Sequence, residues 1–161
     1  MGLDTGSTIF VCAAKSYGVD FVDTLTIGRQ SFCPQPASLQ RIFSILNVNQ
    51  DAKRFVRDNG YAEEFFRLMG AQEVNSLDFS SYEGATYVQD MNSPIPDHLR
   101  SRFSVVYDGG TLEHVFNVPQ ALTNCMEMIR VGGHFYAGNY GKQFHGPWFL
   151  AVQSRIAFPG F

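Results

Sequence analysis

The chain has 161 residues, 45% of them apolar and 17% charged, with a net charge of −3. That length suits one domain able to bury a full core, and fifteen Phe with seven Tyr exclude a disordered chain. A mildly acidic chain without a Lys/Arg block excludes the electrostatic footprint of a nucleic-acid or anionic-membrane binder.

From the N-terminus, Ser7–Tyr17 is predicted as a short helix with Ser7 as its N-cap and Gly18 as its stop. Thr24-Leu-Thr-Ile27 reads as a strand ending at Gly28. Past a loop marked by Pro34 and Pro36, Leu39, Ile42, Phe43 and Leu46 have the spacing of an amphipathic helix. Further helical stretches cover Asp51–Asn59 and Tyr61–Met69. Gly70 leads into a second strand, Glu73–Phe79, and Ala85–Gln89 is a third, followed by Asp90. Phe103–Tyr107 is a fourth strand, ending in Asp108-Gly109-Gly110. Pro119–Ile129 is helical, with Ala121, Leu122, Cys125, Met126 and Ile129 on one face. Gly132-Gly133 reads as a turn before a fifth strand, His134–Gly138.

Strands alternating with helices predict an α/β fold with a mostly parallel sheet of about five strands. One link conflicts with this. Only Ser80–Gly84 separates the second strand from the third, whereas a parallel crossover ordinarily takes about 10–12 residues or more.

Cys12, Cys33 and Cys125 are odd in number and widely spaced, giving neither a disulfide framework nor a CxxC site. No stretch approaches the roughly 18 apolar residues of a membrane span. Ile9–Ala14 is too short, and lacks the basic flank, for a secretory signal. A soluble, cytoplasmic protein is the expectation.

In an open α/β sheet, ligands bind beyond the carboxyl ends of the strands, where the strand order reverses. Gly28, Asp78, Asp90 and Asp108 all fall at such ends. A carboxylate after the second strand suits a ribose diol, and one after the third suits an adenine amino group. Asp108-Gly109-Gly110 lets backbone approach a ligand without Cβ obstruction. Asp and Gly also favour turns and caps for purely structural reasons. Glu113 and His114 form a carboxylate–imidazole pair suited to general-base work on a substrate hydroxyl or amine, with pocket lining or helix capping by His114 the alternative. Adjacent Glu-His is not a metal spacing, and no metal site is expected.

These residues resemble those of class I S-adenosylmethionine-dependent methyltransferases over about Thr24 to Tyr140. Gly70-Ala-Gln-Glu-Val-Asn-Ser-Leu-Asp78 is similar to that family's entry to the second strand and its ribose-binding acid. Ala85-Thr-Tyr-Val-Gln-Asp90 is similar to the third strand and the residue beside the adenine. Phe103-Ser-Val-Val-Tyr-Asp108-Gly-Gly-Thr-Leu-Glu-His114-Val resembles the fourth strand and the Leu-Glu-His-Val segment of small-molecule members. Met126-Glu-Met-Ile-Arg-Val-Gly-Gly133 resembles the helix and double glycine before the fifth strand. The resemblance implies a Rossmann-like fold and S-adenosylmethionine as cofactor. Gly28, Asp108 and Gly109 would lie at the methionine end, Asp78 at the ribose, Asp90 at the adenine, and His114 would be the candidate base. It further implies a small-molecule acceptor, glycan or natural-product related.

The chain departs from that family in two places. The glycine-rich GxGxG loop is replaced by Thr26-Ile-Gly28-Arg-Gln-Ser-Phe, with a single glycine, which resembles a divergent glycine-poor branch. There Arg29 would either face the cofactor carboxylate or lie on the surface. The family sheet has seven strands, whereas this reading finds five, within one domain spanning 1–161. That domain has an N-terminal helical extension (1–23) and an atypical tail (144–161). The fifth strand is then an exposed edge, compatible with a homodimer. Back-translated and read one base later from Trp148, the tail gives a segment resembling the branch's own continuation. An inserted base near Gly146–Pro147, with truncation, is the reading of that tail. Two other functions fit the sequence less well: a non-catalytic Rossmann-like interaction domain, and a nicotinamide-dependent oxidoreductase, which lacks its G-x-G-x-x-G.

Overall fold

Every residue from Phe103 to Asp108 is buried, as a central strand of a parallel sheet covered on both faces requires. In the computed structural model, which describes residues 2–58, 60–139 and 148–153, this strand sits fourth in a sheet of six. The chain runs β1 (Gly2–Leu3), α1 (Thr5–Ser16), β2 (Asp23–Ile27), β3 (Ser31–Phe32), α2 (Pro36–Ile45), α3 (Ala52–Asp58) and α4 (Glu63–Leu68). It continues through β4 (Glu73–Asp78), β5 (Tyr87–Val88), β6 (Phe103–Asp108), α5 (Val118–Met128), β7 (Ile129–Asn139) and β8 (Trp148–Gln153). The main sheet has the order β5-β4-β2-β6-β7-β8. All its pairings are parallel except β7 with β8. The five parallel strands are those expected from the sequence, and the fold is Rossmann-like. The order reverses between β2 and β6, because the chain builds outward through β4 and β5 and then returns to the other side of β2. β1 and β3 form a separate two-stranded parallel ribbon.

Two apolar layers cover the sheet. One joins Phe21, Phe43, Phe65, Phe66, Val105 and Tyr107 beneath α1 to α4. The other joins Leu25, Ile27, Leu77, Val106, Phe135 and Met128 against α5. Along β2 the alternation is strict: Leu25 and Ile27 face the second layer, while Thr24 and Thr26 are buried with hydroxyls bonded to the carbonyls of Phe21 (2.7 Å) and Asn75 (3.4 Å). The long segment between β2 and β4 carries β3 and the three helices α2, α3 and α4, as its sequence suggests. Aromatic contacts bind it: Phe32 stacks on Phe65 at 5.0 Å between centroids, and Phe43 meets Phe55 edge-on at 5.5 Å.

Several local expectations are corrected. Asp4, not Ser7, caps α1, its Oδ1 accepting from Ser7 N at 2.9 Å. Gly132-Gly133 is not a turn but an irregularity inside β7. Phe103 pairs with Ile129 but Val105 with His134, so extra residues loop out of register there. Gly132 takes φ +81°, and a Cβ on Gly133 would lie 2.8 Å from the Ser104 carbonyl oxygen, which is why both are glycine. On α5 the buried residues are Ala121, Asn124, Cys125 and Met128, while Leu122 is 39% exposed. The short link after β4 carries no helix. β5 is only two residues long and begins opposite Leu77, near the end of β4, so the chain need retrace only a residue or two. β8 covers β7 along Asn139–His134. The edge expected to be open is therefore paired, and that strand gives no ground for a homodimer. The Gly146–Pro147 junction lies outside the described residues. No described helix is long and apolar enough to cross a membrane.

Phe66 is fully buried against Phe21, Phe65 and Tyr107. Phe66→Ala is expected to cost about 3–5 kcal/mol in urea denaturation. Val131→Ala, at a position 57% exposed, should change stability by no more than about 0.5 kcal/mol. Equal losses for the two would contradict this packing.

Candidate functional site

β2 ends at Ile27, and Gly28 then turns with φ +71° while its N–H donates to the Leu77 carbonyl at 2.7 Å. The Ile27 carbonyl accepts two bonds, from Thr111 Oγ1 and from Gln30 Nε2, both at 2.7 Å. A Cβ on Gly28 would come within 2.6 Å of Thr111 Oγ1 and 3.8 Å of Asp78 Oδ2. One glycine is thus required here both for its backbone angle and for the close approach of β6's loop.

Beyond this point a cleft of about 180 Å³ opens at the carboxyl ends of β4, β5 and β6. Ile27, Leu77, Met91 and Val115 supply apolar lining, and the polar groups include Asp78, Asp90, Thr111 and His114. Phe79, 73% exposed, stands at its edge. Asp78 Oδ1 accepts from Ser80 N at 3.3 Å. Asp90 directs Oδ1 to Asn92, accepting from its N (2.9 Å) and Nδ2 (2.7 Å). Asn92 in turn accepts from Asn117 N at 2.9 Å, and buried Asn124 donates to the carbonyls of Met91 (3.2 Å) and Ser93 (2.8 Å). The Asp90 loop is therefore anchored to α5. His114 lies in a short 3-10 turn, Leu112–His114, with Nε2 3.5 Å from Glu113 Oε1 and its side chain mostly exposed.

The structure thus brings Asp78, Asp90 and His114 to one cleft with Gly28 beside it. The remaining candidates are placed elsewhere. Asp108 is 3% exposed and accepts from Thr111 N (2.8 Å) and Leu112 N (3.3 Å), holding the turn that carries His114. Gly109 packs on Gln30, whose Oε1 fills the space a Cβ there would need. Arg29 does not line the cleft. Its guanidinium pairs with Glu63 (2.6 Å), donates to the Glu83 carbonyl (2.8 Å) and lies 3.9 Å over the Tyr61 ring. Sequence reasoning missed Thr111, Gln30 and Met91. Thr111 follows the Asp108-Gly-Gly turn directly, and that adjacency was the available signal. No group of three metal-ligating side chains occurs among the described residues.

Chemically, two carboxylates flank an apolar slot. Such an arrangement accepts hydrogen bonds from hydroxyls or an amino group while a flat ring packs between aliphatic side chains.

No family model and no curated protein matches the chain. Among solved structures it is similar to a protein of Bacillus halodurans assigned provisionally as a methyltransferase, at 11% identity and TM-score 0.47, covering 85% of this chain and 46% of that one. It is also similar to the trans-methyltransferase CalH, solved with SAH (12%, TM-score 0.46, 83% and 37%). A provisionally assigned Zn-dependent alcohol dehydrogenase from Rhodobacter sphaeroides is comparably similar (14%, TM-score 0.45, 80% and 45%). The chain spans half or less of the length of these structures, and likeness at this level extends to the path of the chain alone.

Burial pushes the Asp108 carboxyl up to about 6, against the opposing pull of the Thr111, Leu112 and Gly110 amides. A raised pKa means that the folded state favours the proton. The associated stability is full below the ordinary value of 3.8 and is lost as pH rises through about 6. At pH 8 the ionised group costs at most about 3 kcal/mol. Asp108→Asn keeps an acceptor for Thr111 and should raise Tm by several degrees at pH 8, with the gain vanishing near pH 4. A variant less stable than the parent at pH 8 would contradict the assignment.

Proposed function

We propose that the cleft at the ends of β4, β5 and β6 binds S-adenosylmethionine and that the chain serves methyl transfer to a small-molecule acceptor. The observation that carries this reading is the convergence of Asp78 and Asp90 on one apolar slot beside the β2–β6 reversal. Supporting it is the sequence resemblance over the same residues, above all Leu-Glu-His-Val after the fourth strand.

In this reading Asp78 accepts from the ribose hydroxyls, its Oδ2 lying toward Gly28. Asp90 accepts from the adenine amino group with Oδ2, since both of its bonds to Asn92 fall on Oδ1. Ile27, Leu77 and Met91 pack on the base. Gly28 borders the methionine end, Asp108 and Gly109 support it from behind through the 111–114 turn and through Gln30, and Arg29 reaches the cofactor carboxylate only by leaving Glu63 and Glu83. When bound, the cofactor supplies an electrophilic methyl group, and the protein's part is to align the acceptor with it. His114, exposed and next to Glu113, is the group that would take the acceptor's proton. The acceptor is a small glycan or natural-product precursor. The non-catalytic reading draws on one observation: Arg29 and Gln30 stand where a glycine-rich loop would leave the backbone bare.

Calorimetric titration with S-adenosylhomocysteine tests the reading, with NAD as control. Micromolar binding is expected, weakened at least about tenfold by Asp78→Ala, which removes about 1.4 kcal/mol or more. NAD should not bind. A folded chain that binds neither would overturn the proposal in favour of a non-catalytic domain, and binding of NAD alone would favour the oxidoreductase.

A further inference from the structure

The guanidinium of Arg29 is engaged on three sides. Nε donates to Glu63 Oε1 at 2.6 Å, Nη1 donates to the Glu83 carbonyl at 2.8 Å, and the group lies 3.9 Å from the centroid of the Tyr61 ring. Arginine suits such a place because its planar fork can serve a carboxylate, a carbonyl and an aromatic face at once. The Glu63 side chain is only 18% exposed. Swinging Arg29 toward a ligand would leave that carboxylate largely buried without its cation, which is strongly unfavourable. Arg29 is therefore a fixed part of the fold.

What it fixes is the loop between β4 and β5. Ser80–Gly84 is exposed along its whole length. Its other hydrogen bonds among the described residues are local: Ser80 N to Asp78 Oδ1 (3.3 Å), Tyr82 N to Ser80 Oγ (3.4 Å) and Gly84 N to the Ser81 carbonyl (2.9 Å). The bond from Arg29 is the one that ties this loop to a distant part of the chain. An exposed segment with so few ties opens easily when one is lost. The Asp90 loop, by contrast, has its own anchor on α5 through Asn117 and Asn124.

The same loop meets the cleft. Phe79, immediately before it, stands at the cleft edge. The bond from Ser80 N holds Asp78 Oδ1, which leaves Oδ2 toward Gly28. We propose that Arg29 is a positioning residue for the nucleoside end of the cleft. By holding the Glu83 carbonyl it sets the 80–84 loop, and through that loop the orientation of the Asp78 carboxylate and of Phe79, without touching the ligand. This role rests on the cleft binding the cofactor as proposed above.

Arg29→Met removes the grip. Should that variant fail to fold, adding Glu63→Gln removes both charges together and leaves none unpaired. Parent and variant are titrated with adenosine, which has no carboxylate, and with S-adenosylhomocysteine, which has one. Backbone amide relaxation reports the order of the loop independently of any ligand. Both ligands are expected to weaken by the same factor, about fivefold or more. Order parameters at 80–84 should fall while those at 89–92 hold. Three results in the folded variant would overturn the proposal. Loss confined to S-adenosylhomocysteine would mean that Arg29 reaches the cofactor carboxylate. Unchanged affinity for both ligands would reduce Arg29 to a structural ion pair, and unchanged order at 80–84 would show that it does not hold the loop. A parent chain that binds neither ligand fails the reading of the cleft itself, and Arg29's role with it. That failure shows in the parent, the other three only in the variant.

Discussion

The carbonyl of Ile27 is the point on which the site depends. It accepts from Thr111, which belongs to the loop after β6, and from Gln30, which belongs to the loop after β2 itself. The next residue, Gly28, gives its N–H to Leu77 of β4. Three strand ends are thereby drawn together where the strand order reverses. Because Gly28 has no Cβ, Thr111 can come close enough to make its bond. The cleft walls converge because these ends do.

Asp108 shows a different constraint. Its carboxyl is needed as an acceptor for the amides that start the 112–114 turn, yet it is buried enough to resist ionisation. A neutral asparagine would serve the turn at lower cost. Under the proposed function it acts through that turn, setting where Thr111 and His114 stand at the cleft.

Much of the fold could be read from the sequence because its signals are local. Thr24-Leu-Thr-Ile27 alternates across the sheet, Phe103–Asp108 is an unbroken buried run, and Leu39, Ile42 and Phe43 share one helix face. What escaped was decided by tertiary contact. Gly132-Gly133 looks like a turn in isolation and becomes a bulge only because Ser104 presses against it. β8 has no evident period and is defined by pairing with β7. At the site, the places of Asp78, Asp90 and His114 were legible because Asp78 ends β4, Asp90 comes just after β5, and His114 lies in the turn that follows β6. Arg29 was not, since its partner Glu63 lies far along the chain. Gln30 was missed for a related reason: nothing near it in sequence reveals that its amide folds back onto Ile27 and Gly28.

The most direct test of this account is to map adenosine binding onto the backbone amides by NMR. The account predicts shift changes concentrated at 77–79, 89–92 and 111–115, the segments that line the cleft, with the amides of α1 and α2 unaffected. Saturable changes centred on α1 and α2 would contradict the placement of the site.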